Sequence, residues 1–391
     1  MRNGLITCLV TCLCLQLAGA NDARSQAPQS SPQTPSQTTQ QAETTARLIE
    51  RLASARFAVR ERATEQLIML GLSAIPQLEQ ARRSENREVR HRSQLVLSVV
   101  HELDFQHRLK SFEQDTDGAK SYGLPGWERF RDLAGNTKTS RRLFVQMQKA
   151  ERELLGAESQ AAEDASQTLE RRGQRLHYSA QIFSTRHELP PIVAVLFVAT
   201  NQDIPLRKAT NTSLMSLCQQ PAFEIGIASK THRSILRNLL AAWIHREDAV
   251  PAHELLALAL QHNIVQSLPR ARVLAKRTAE VDVYDRHFAV LCLAKFGGID
   301  DVAQLEAIMA DENVVSRYRL NNMTYTVEMR DLVLAAMLKL TEREPSAFGY
   351  GRLRLQEPYV FDEQSLGFVN DEDRQVAMAK WRIYRMRPEG R

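Results

Sequence analysis

Residues 54–83, SARFAVRERATEQLIMLGLSAIPQLEQARR, are followed by a similar stretch at residues 84–100, SENREVRHRSQLVLSVV. The positions shared at a spacing of 30 residues are Ser54 and Ser84, Val59 and Val89, Arg60 and Arg90, Leu67 and Leu97 and, with conservative changes, Ala63 and Ser93, and Leu70 and Val100. Self-similarity at a fixed period of this length is typical of repeat proteins, in which each repeat is one supersecondary unit.

The apolar positions of both stretches follow the period of a helix. One stripe of a helix with 3.6 residues per turn is formed by Val89, Ser93, Val96, Leu97 and Val100. Gly71 is expected to end the first helix, and Ile75-Pro76 to begin a partner helix with proline in its first turn. Two short helices with one apolar face are not stable alone, so we expect them to stack on neighbours.

The composition also favours helices. The chain has 391 residues, 43% of them hydrophobic, but only 16 Gly and 14 Pro, which leaves few residues for the tight turns of an all-β protein. Amphipathic helices are predicted over residues 235–244 and 255–260. The apolar run at residues 192–198 could be a buried strand by propensity, but Pro190-Pro191 and the lack of a second such run favour a core helix.

Three pieces of the first stretch form a further pattern: FAVR at residues 57–60, LG at 70–71 and AIPQL at 74–78, with EVR following at 88–90. Together they resemble HEAT repeats, particularly the short HEAT-like units of exported bacterial proteins. The pattern returns, more diverged, at residues 286–309 and from Val327 onward. The resemblance implies an α-solenoid, and it implies that Arg60, Arg90 and Arg330 belong to a ladder between repeats and are not ligands.

We therefore predict an all-α fold with a long helical connector and a C-terminal helical cap. The expected segments are a signal peptide at 1–20, a disordered Gln/Ser/Pro/Thr-rich tether at 21–43, HEAT-like repeats at 44–110, a connector at 111–185, a helical-repeat solenoid at 186–345, and a C-terminal loop and capping helix at 346–391. Within the connector we expect an irregular stretch at 111–139 and one long charged helix at 141–176. Trp127 is expected to pin that irregular stretch to the core, although tryptophan also anchors partners.

The N-terminus has the features of an export signal. Met1-Arg2 is followed by an uncharged apolar run at residues 5–17 and by Ala18-Gly19-Ala20, a small-residue cleavage site. The run is too short for a spanning helix, and Cys8, Cys12 and Cys14 do not lie in a lipid-attachment pattern. We expect the mature chain in the periplasm, the cell envelope or the medium. Cys218 and Cys292 lie in apolar runs and are expected to be small buried hydrophobes rather than a disulfide.

Motifs for chemistry are missing from the sequence. His253-Glu254 begins like a zinc-protease helix, but Ala257 stands where the second histidine is required. We found no P-loop, Gly-x-Ser-x-Gly or dinucleotide-binding glycine motif. The sequence thus predicts no catalytic residue, metal centre or cofactor, while an enzyme of hydrolase or lyase type, assembled from distant residues, remains the alternative.

Nucleic-acid binding is the third hypothesis, raised by the basic run RRSENREVRHR at residues 82–92. Glu79, Glu85 and Glu88 interleave with these basic residues at helical spacing, as on a solvated, internally paired face. The formal net charge of the whole chain is only +5. We therefore expect no nucleic-acid partner.

The remaining function is that of an exported scaffold that binds another protein, of unspecified identity. The face of the second repeat opposite its core stripe presents Arg87, His91, Gln94 and Ser98, and the positions 30 residues earlier are Phe57, Glu61, Thr64 and Ile68. Stacked repeats would align the two sets into one column, and we expect a partner on Phe57, Glu61, Ile68, Arg87, His91 and Gln94. Alternatively, Phe57 and Ile68 pack sideways within the stack, and Arg87 and His91 are merely solvated.

The signal peptide gives the first testable prediction. We expect the protein outside the cytoplasm, with a mature chain that begins at Asn21, because a charged n-region, an apolar run and a small-residue site direct cleavage there. Mass spectrometry of the intact chain recovered from its native host checks this. Retention of Met1 to Ala20 would contradict the prediction.

Overall fold

The computed structural model describes residues 35–118, 120–183, 187–276 and 281–386. The predicted signal peptide and the first part of the predicted tether lie outside the described residues. The chain divides into two compact units, Met1–Asp115 and Thr116–Arg391. Both units are mostly helical, which confirms the predicted fold class in its coarser form.

From residue 35 onward, the first unit contains four helices around one apolar core. These are α1 Pro35–Arg51, α2 Phe57–Leu70, α3 Ile75–Ala81 and α4 Arg87–Gln114. The core is formed by Leu48, Leu52, Ala63, Leu67, Ala74, Leu78, Val89, Val96, Leu97 and Val100. Gly71 ends α2 with φ of 60°, a left-handed value that glycine adopts without steric cost. The predicted helix end and the predicted partner helix are therefore confirmed.

The tether prediction was wrong from Pro35 onward, since α1 begins there rather than after residue 43. Leu48 and Leu52 are buried against the other helices of the unit and anchor the C-terminal half of α1. Two hydrogen bonds hold the upstream turns of α1. Gln41 donates to the Ser73 hydroxyl, in the turn before α3, at 3.0 Å, and Gln77 of α3 donates to the Ala42 carbonyl at 3.0 Å. A helix anchored in this way extends upstream at little cost, because each added residue gains one backbone hydrogen bond.

The sequence repeat has a counterpart in the hydrogen bonds. Arg60, the fourth residue of α2, donates to the carbonyls of residues 54 and 55 at 2.8 and 3.1 Å. Arg90, the fourth residue of α4, donates to the carbonyls of residues 84 and 85, both at 2.7 Å. Each arginine thus fixes the turn that precedes its own helix.

The second unit is a longer succession of helices. They are α5 Trp127–Ala134, α6 Lys138–Gly156, α7 Ala162–Phe183, α8 Leu189–Ala199, α9 Lys208–Cys218, α10 Pro221–Ala228, α11 Arg233–Ile244, α12 Ala252–His262, α13 Leu268–Lys276, α14 Val283–Phe296, α15 Val302–Glu306, α16 Met329–Leu340 and α17 Asp371–Met386. The predicted core helix is confirmed, because every residue from 192 to 199 in α8 is buried. The amphipathic predictions are confirmed by α11 and α12, whose predicted apolar residues are buried.

The predicted connector differs from the observed structure in two places. The single long helix predicted at 141–176 is broken into α6 and α7 by a turn at residues 157–159. The break lets α6 pack on α8 and α7 pack on α9, which buries an apolar face of each helix. The stretch predicted as irregular contains α5, whose first residue Trp127 is fully buried and donates to the Gly118 carbonyl at 3.1 Å. Trp127 thus pins the chain to its core, as expected.

Two short hairpins among the described residues correct the all-α prediction. The strands β1 Val314–Leu320 and β2 Met323–Glu328 pair antiparallel across Asn321 and Asn322, which have φ of 49° and 63°. In this segment polar and apolar residues alternate on either side of an Asn-Asn turn that tolerates positive φ. This pattern is typical of a hairpin, and the helical interpretation of the sequence overlooked it. The strands β3 Leu355–Gln356 and β4 Val360–Phe361 form the second hairpin.

No helix in the described part of the chain is long and apolar enough to cross a membrane. Cys218 and Cys292 are both buried and unpaired, as expected from their apolar surroundings. Burial raises the pKa of both thiols, that of Cys292 to about 12. Neither cysteine is therefore a candidate nucleophile.

The C-terminal helix α17 closes the core of the second unit. Asn370 caps it by accepting a hydrogen bond from the Asp373 amide at 2.9 Å. Trp381 is 1% exposed, contacts Phe348 with ring centroids 6.2 Å apart, and donates its indole N–H to Glu306 at 3.0 Å. The aromatic residues of α17 are thus joined to the core by packing and by a hydrogen bond.

Complete burial of Trp381 gives the second prediction. Trp381→Ala should lower the free energy of unfolding by about 3 to 5 kcal/mol, because it leaves a cavity and removes the largest side chain of α17 from the core. Urea denaturation measures the loss. Ile383→Ala changes an exposed residue of the same helix and should cost less than about 0.5 kcal/mol. Equal unfolding midpoints for the two variants would show that α17 does not contribute to the core.

Candidate functional site

The structure separates the predicted partner-binding residues into exposed and buried groups. Phe57 is 63% exposed, which is unusual for a phenylalanine, and Arg87, His91 and Gln94 are exposed along α4. Ile68 is only 7% exposed and belongs to the core of the first unit. The prediction that Ile68 contacts a partner was wrong, because this residue faces the neighbouring helices of its own unit.

Glu61 is engaged within the unit. It accepts a hydrogen bond from Arg92 at 2.8 Å, and Arg92 also donates to Glu88 at 2.6 Å and to Thr64 at 3.1 Å. The hydrogen bond from Arg92 lowers the pKa of Glu88, because it stabilises the charged form of this carboxylate. Arg92 is 8% exposed and fastens α2 to α4. Glu61 therefore supports the surface and is not a free contact on it.

Phe57 has a charged frame around its ring. The guanidinium carbons of Arg60 and Arg92 lie 5.7 and 5.9 Å from the ring centroid, within the range of cation–π attraction. Arg60 also forms an ion pair with Glu88 at 3.0 Å. The aromatic ring is thus held in place at the start of α2 while most of its surface faces solvent. We call Phe57, Arg87, His91 and Gln94 the exposed row.

Three of the five arginines in the basic run at residues 82–92 are engaged within the first unit. Arg82 pairs with Glu79 at 2.8 Å, Arg92 pairs with two carboxylates, and Arg90 is directed to backbone carbonyls. Nucleic acid is bound by arginines and lysines that are available for phosphates. The contacts made by these arginines therefore favour the interpretation of a paired, solvated face.

The second unit brings together three metal-ligating side chains that no sequence motif connects. His253 lies in the first turn of α12, Asp282 precedes α14, and Asp285 lies in its first turn. One ligand atom from each residue lies within 4.8 Å of the other two. We call these residues the His-Asp cluster. Sequence reasoning tested His253 only against a helical motif, and the partners of His253 lie 29 and 32 residues further along the chain.

A cavity of about 460 Å³ is lined by residues of α14 and of the segment that follows β3. The ring of Phe288 contacts the ring of His253 and also that of Tyr359, with centroids 6.3 and 6.0 Å apart, and it lines this cavity. Burial lowers the pKa of His287, in the same wall, to about 4, so this imidazole is uncharged at neutral pH. The cavity thus combines aromatic walls with polar side chains, among them the carboxylates of Asp362 and Glu363.

A second cavity, of about 340 Å³, lies between α6 and α7 and is lined by arginines. Arg172 forms a short ion pair with Glu151. A guanidinium nitrogen of Arg171 lies 3.6 Å from a carboxylate oxygen of Glu153. The carboxylates of α6 therefore offset much of the positive charge of α7. This arrangement fastens the two helices that the turn at residues 157–159 separates.

A buried charge network joins α16 to α17. Arg374 donates to Asp331 at 2.8 Å and to the Thr326 carbonyl at 3.0 Å, and Asp331 also accepts from the Glu328 amide at 2.9 Å. Burial raises the pKa of Asp331 to about 6 although Arg374 acts in the opposite direction. The network fixes the β2–α16 junction to α17, and its groups are occupied by one another.

No protein-family profile matches the chain, and no curated protein is similar to it.

The raised pKa of Asp331 gives the third prediction. Between about pH 4 and pH 6 the folded chain keeps a proton on Asp331 that the unfolded chain releases, since its ordinary pKa is 3.8. The stabilisation is therefore complete below pH 4 and is lost as the pH rises through 6. Asp331→Asn removes this dependence, so the stability of wild type relative to the variant should fall by about 2 to 3 kcal/mol from pH 4 to pH 7.

Urea unfolding of both proteins at the two pH values measures this difference. Asp300→Asn, a change at an exposed aspartate, is the matched control and should leave the pH dependence of wild type unaltered. If the stability difference between wild type and Asp331→Asn is the same at pH 4 and pH 7, the pKa of Asp331 is not raised by folding and the prediction is contradicted.

Proposed function

We propose that this chain is an exported, non-enzymatic scaffold that binds another protein through an α-solenoid of HEAT-like helical hairpins. Support for the solenoid comes first from the order of contacts in the second unit. There α8 packs on α11, α11 on α12, α12 on α14 and α14 on α16. Contacts between successive members of a row are what stacked hairpins produce, since each repeat buries its apolar face on its neighbours.

Recurrent arginine bonds support the same assignment. Arg286, the fourth residue of α14, donates to the carbonyl of Val281, five residues earlier, at 3.2 Å. Arg60 and Arg90 occupy the fourth position of their helices and donate to carbonyls five and six residues earlier. Arg286 also forms an ion pair with Asp311, as Arg60 does with Glu88 of the next repeat. These contacts are those expected of the ladder that the resemblance implies, and Arg330 contributes by pairing with three carboxylates.

The single observation that carries the binding proposal is the exposed row. An aromatic ring that is 63% exposed yet held by two guanidinium groups is a preorganised contact for a partner side chain. Arg92 links the ring of Phe57 to α4, on which Arg87, His91 and Gln94 are exposed at helical spacing. The surface therefore suits a protein partner that offers an apolar side chain for Phe57 and carboxylates for Arg87 and His91.

The fourth prediction tests this row. Replacing Arg87 and His91 together by Ala should lower the amount of co-purified partner about tenfold, equivalent to about 1.4 kcal/mol of binding free energy, while stability changes by less than about 0.5 kcal/mol. The measurement is the yield of partner recovered with the mature chain from native envelope extracts, with urea unfolding in parallel.

The matched control replaces Arg62 and His101, an exposed arginine and an exposed histidine outside the row, by Ala. It should retain the wild-type yield of partner. Phe57→Ser should give a loss similar to that of the double variant, because it removes the apolar contact and leaves the charges. Wild-type yields for both row variants would remove the first unit from consideration as the binding surface.

A further inference from the structure

We propose that the His-Asp cluster of the second unit, His253, Asp282 and Asp285, is a binding site for a divalent transition-metal ion, with Zn²⁺ as the best-suited ion. This inference concerns a different unit from the exposed row, and it does not depend on the scaffold function. It rests on the distances, orientation and chemical character of three side chains from two helices.

The distances suit one ion. Zinc binds histidine nitrogen and carboxylate oxygen at about 2.0 to 2.2 Å, which places ligand atoms about 3 to 4.4 Å from one another. The three candidate atoms, one from each residue, lie within 4.8 Å of one another. Side-chain shifts of a few tenths of an ångström would therefore bring all three onto one ion.

The carboxylates are already oriented. Oδ1 of Asp285 accepts from the His253 amide at 2.7 Å as well as from its ring, so the side chain of Asp285 is fixed against the start of α12. Oδ1 of Asp282 accepts from the Tyr284 amide at 2.8 Å, as a helix N-cap does. Among the described residues, no hydrogen bond or ion pair reaches Oδ2 of either aspartate. Each carboxylate thus keeps one oxygen for a ligand while the other sets its direction.

Tyr284 and Arg286 add to the constraint on this segment. The ring of Tyr284 lies 5.9 Å from that of His253 and shields one side of the imidazole. The bond from Arg286 to the carbonyl of Val281 fixes the residue before Asp282. The loop that supplies the ligands is therefore held by its own helix, which lowers the entropic cost of binding an ion.

The donor set decides the class of ion. Imidazole nitrogen suits Zn²⁺ and similar transition metals, whereas Mg²⁺ and Ca²⁺ prefer oxygen ligands throughout. The two carboxylates of the site attract a dication. Arg270 opposes this attraction, but its guanidinium is bound to the carbonyls of Arg246 and Ala249 at 2.6 and 2.7 Å. Its hydrogen bonds go to the backbone, while the charge of Asp285 acts on it at longer range.

Three protein ligands leave at least one coordination position for water or another group. His253 is 30% and Asp285 is 20% exposed at the side chain, so an ion reaches the site from solvent. A purely structural role is the competing explanation, in which Asp282 only caps α14 and His253 only pairs with Asp285. Metal binding requires the negative charge of Asp282, whereas the structural role requires only a side-chain oxygen that accepts a hydrogen bond.

Asp282→Asn is the decisive variant, because asparagine caps a helix as well as aspartate does but lacks the charge of a ligand. We would titrate Zn²⁺ into the chelator-treated full-length mature protein by isothermal titration calorimetry. Wild type should bind one Zn²⁺ saturably, and Asp282→Asn and His253→Gln should each weaken this binding at least tenfold. Mg²⁺ and Ca²⁺ should give no comparable binding. Zn²⁺ should also raise the thermal midpoint of wild type and not that of the variants.

The matched controls are Asp300→Asn and His245→Gln, which change an exposed aspartate and an exposed histidine outside the cluster and should bind as wild type does. Circular dichroism and the metal-free thermal midpoint show whether each variant is folded, and Asp282→Asn gives the answer if His253→Gln is destabilised. The proposal is overturned if wild type shows no saturable Zn²⁺ binding, or if folded Asp282→Asn binds Zn²⁺ as tightly as wild type.

Discussion

The arginine at the fourth position of a helix is the interaction on which the rest of this structure depends. A turn between two short helices carries carbonyl oxygens that the helices themselves do not satisfy, and leaving such groups without partners costs free energy. Arg60, Arg90 and Arg286 each reach back to the turn before their own helix and donate to these carbonyls. A guanidinium group has several donors in a fixed plane, so it can bond the turn and a neighbouring carboxylate together, which lysine cannot do with the same geometry.

Arginines at other positions make the same kind of contact. Arg246 is 4% exposed and donates to the carbonyls of Ala199 and Ile204 at 3.2 and 2.8 Å. Arg270 in turn donates to the carbonyl of Arg246. The turns between helices in the second unit are therefore joined to one another through arginine side chains. In this chain of many short helices, arginines supply the connections that hydrogen-bonded neighbouring strands would supply in a sheet protein.

Sequence reasoning identified what depends on local periodicity. The buried helix α8 and the amphipathic α11 and α12 follow from apolar spacing alone, whereas the break between α6 and α7 depends on which helices they cover, and no local signal decided that. The binding surface was only partly predictable for the same reason. Helical periodicity shows which residues point away from the core stripe of one helix, but it does not show what lies next to them. Ile68 belongs to the core of the first unit, and Glu61 accepts a hydrogen bond from Arg92. The His-Asp cluster joins two helices, and no spacing within one helix could indicate it.

Both candidate sites lie at the N-terminal ends of helices whose preceding turns are fixed by arginine. Phe57 and Arg87 are the first residues of α2 and α4, after turns held by Arg60 and Arg90. The metal-ligating residues have the same placement, since Arg270 bonds the carbonyl of Ala249 shortly before α12, and Arg286 bonds the residue before Asp282. A first helical turn exposes side chains to solvent while its backbone stays rigid, so contacts placed there lose little conformational entropy on binding. The bonds that close the turns thus also preorganise the positions at which we place a protein partner and a metal ion.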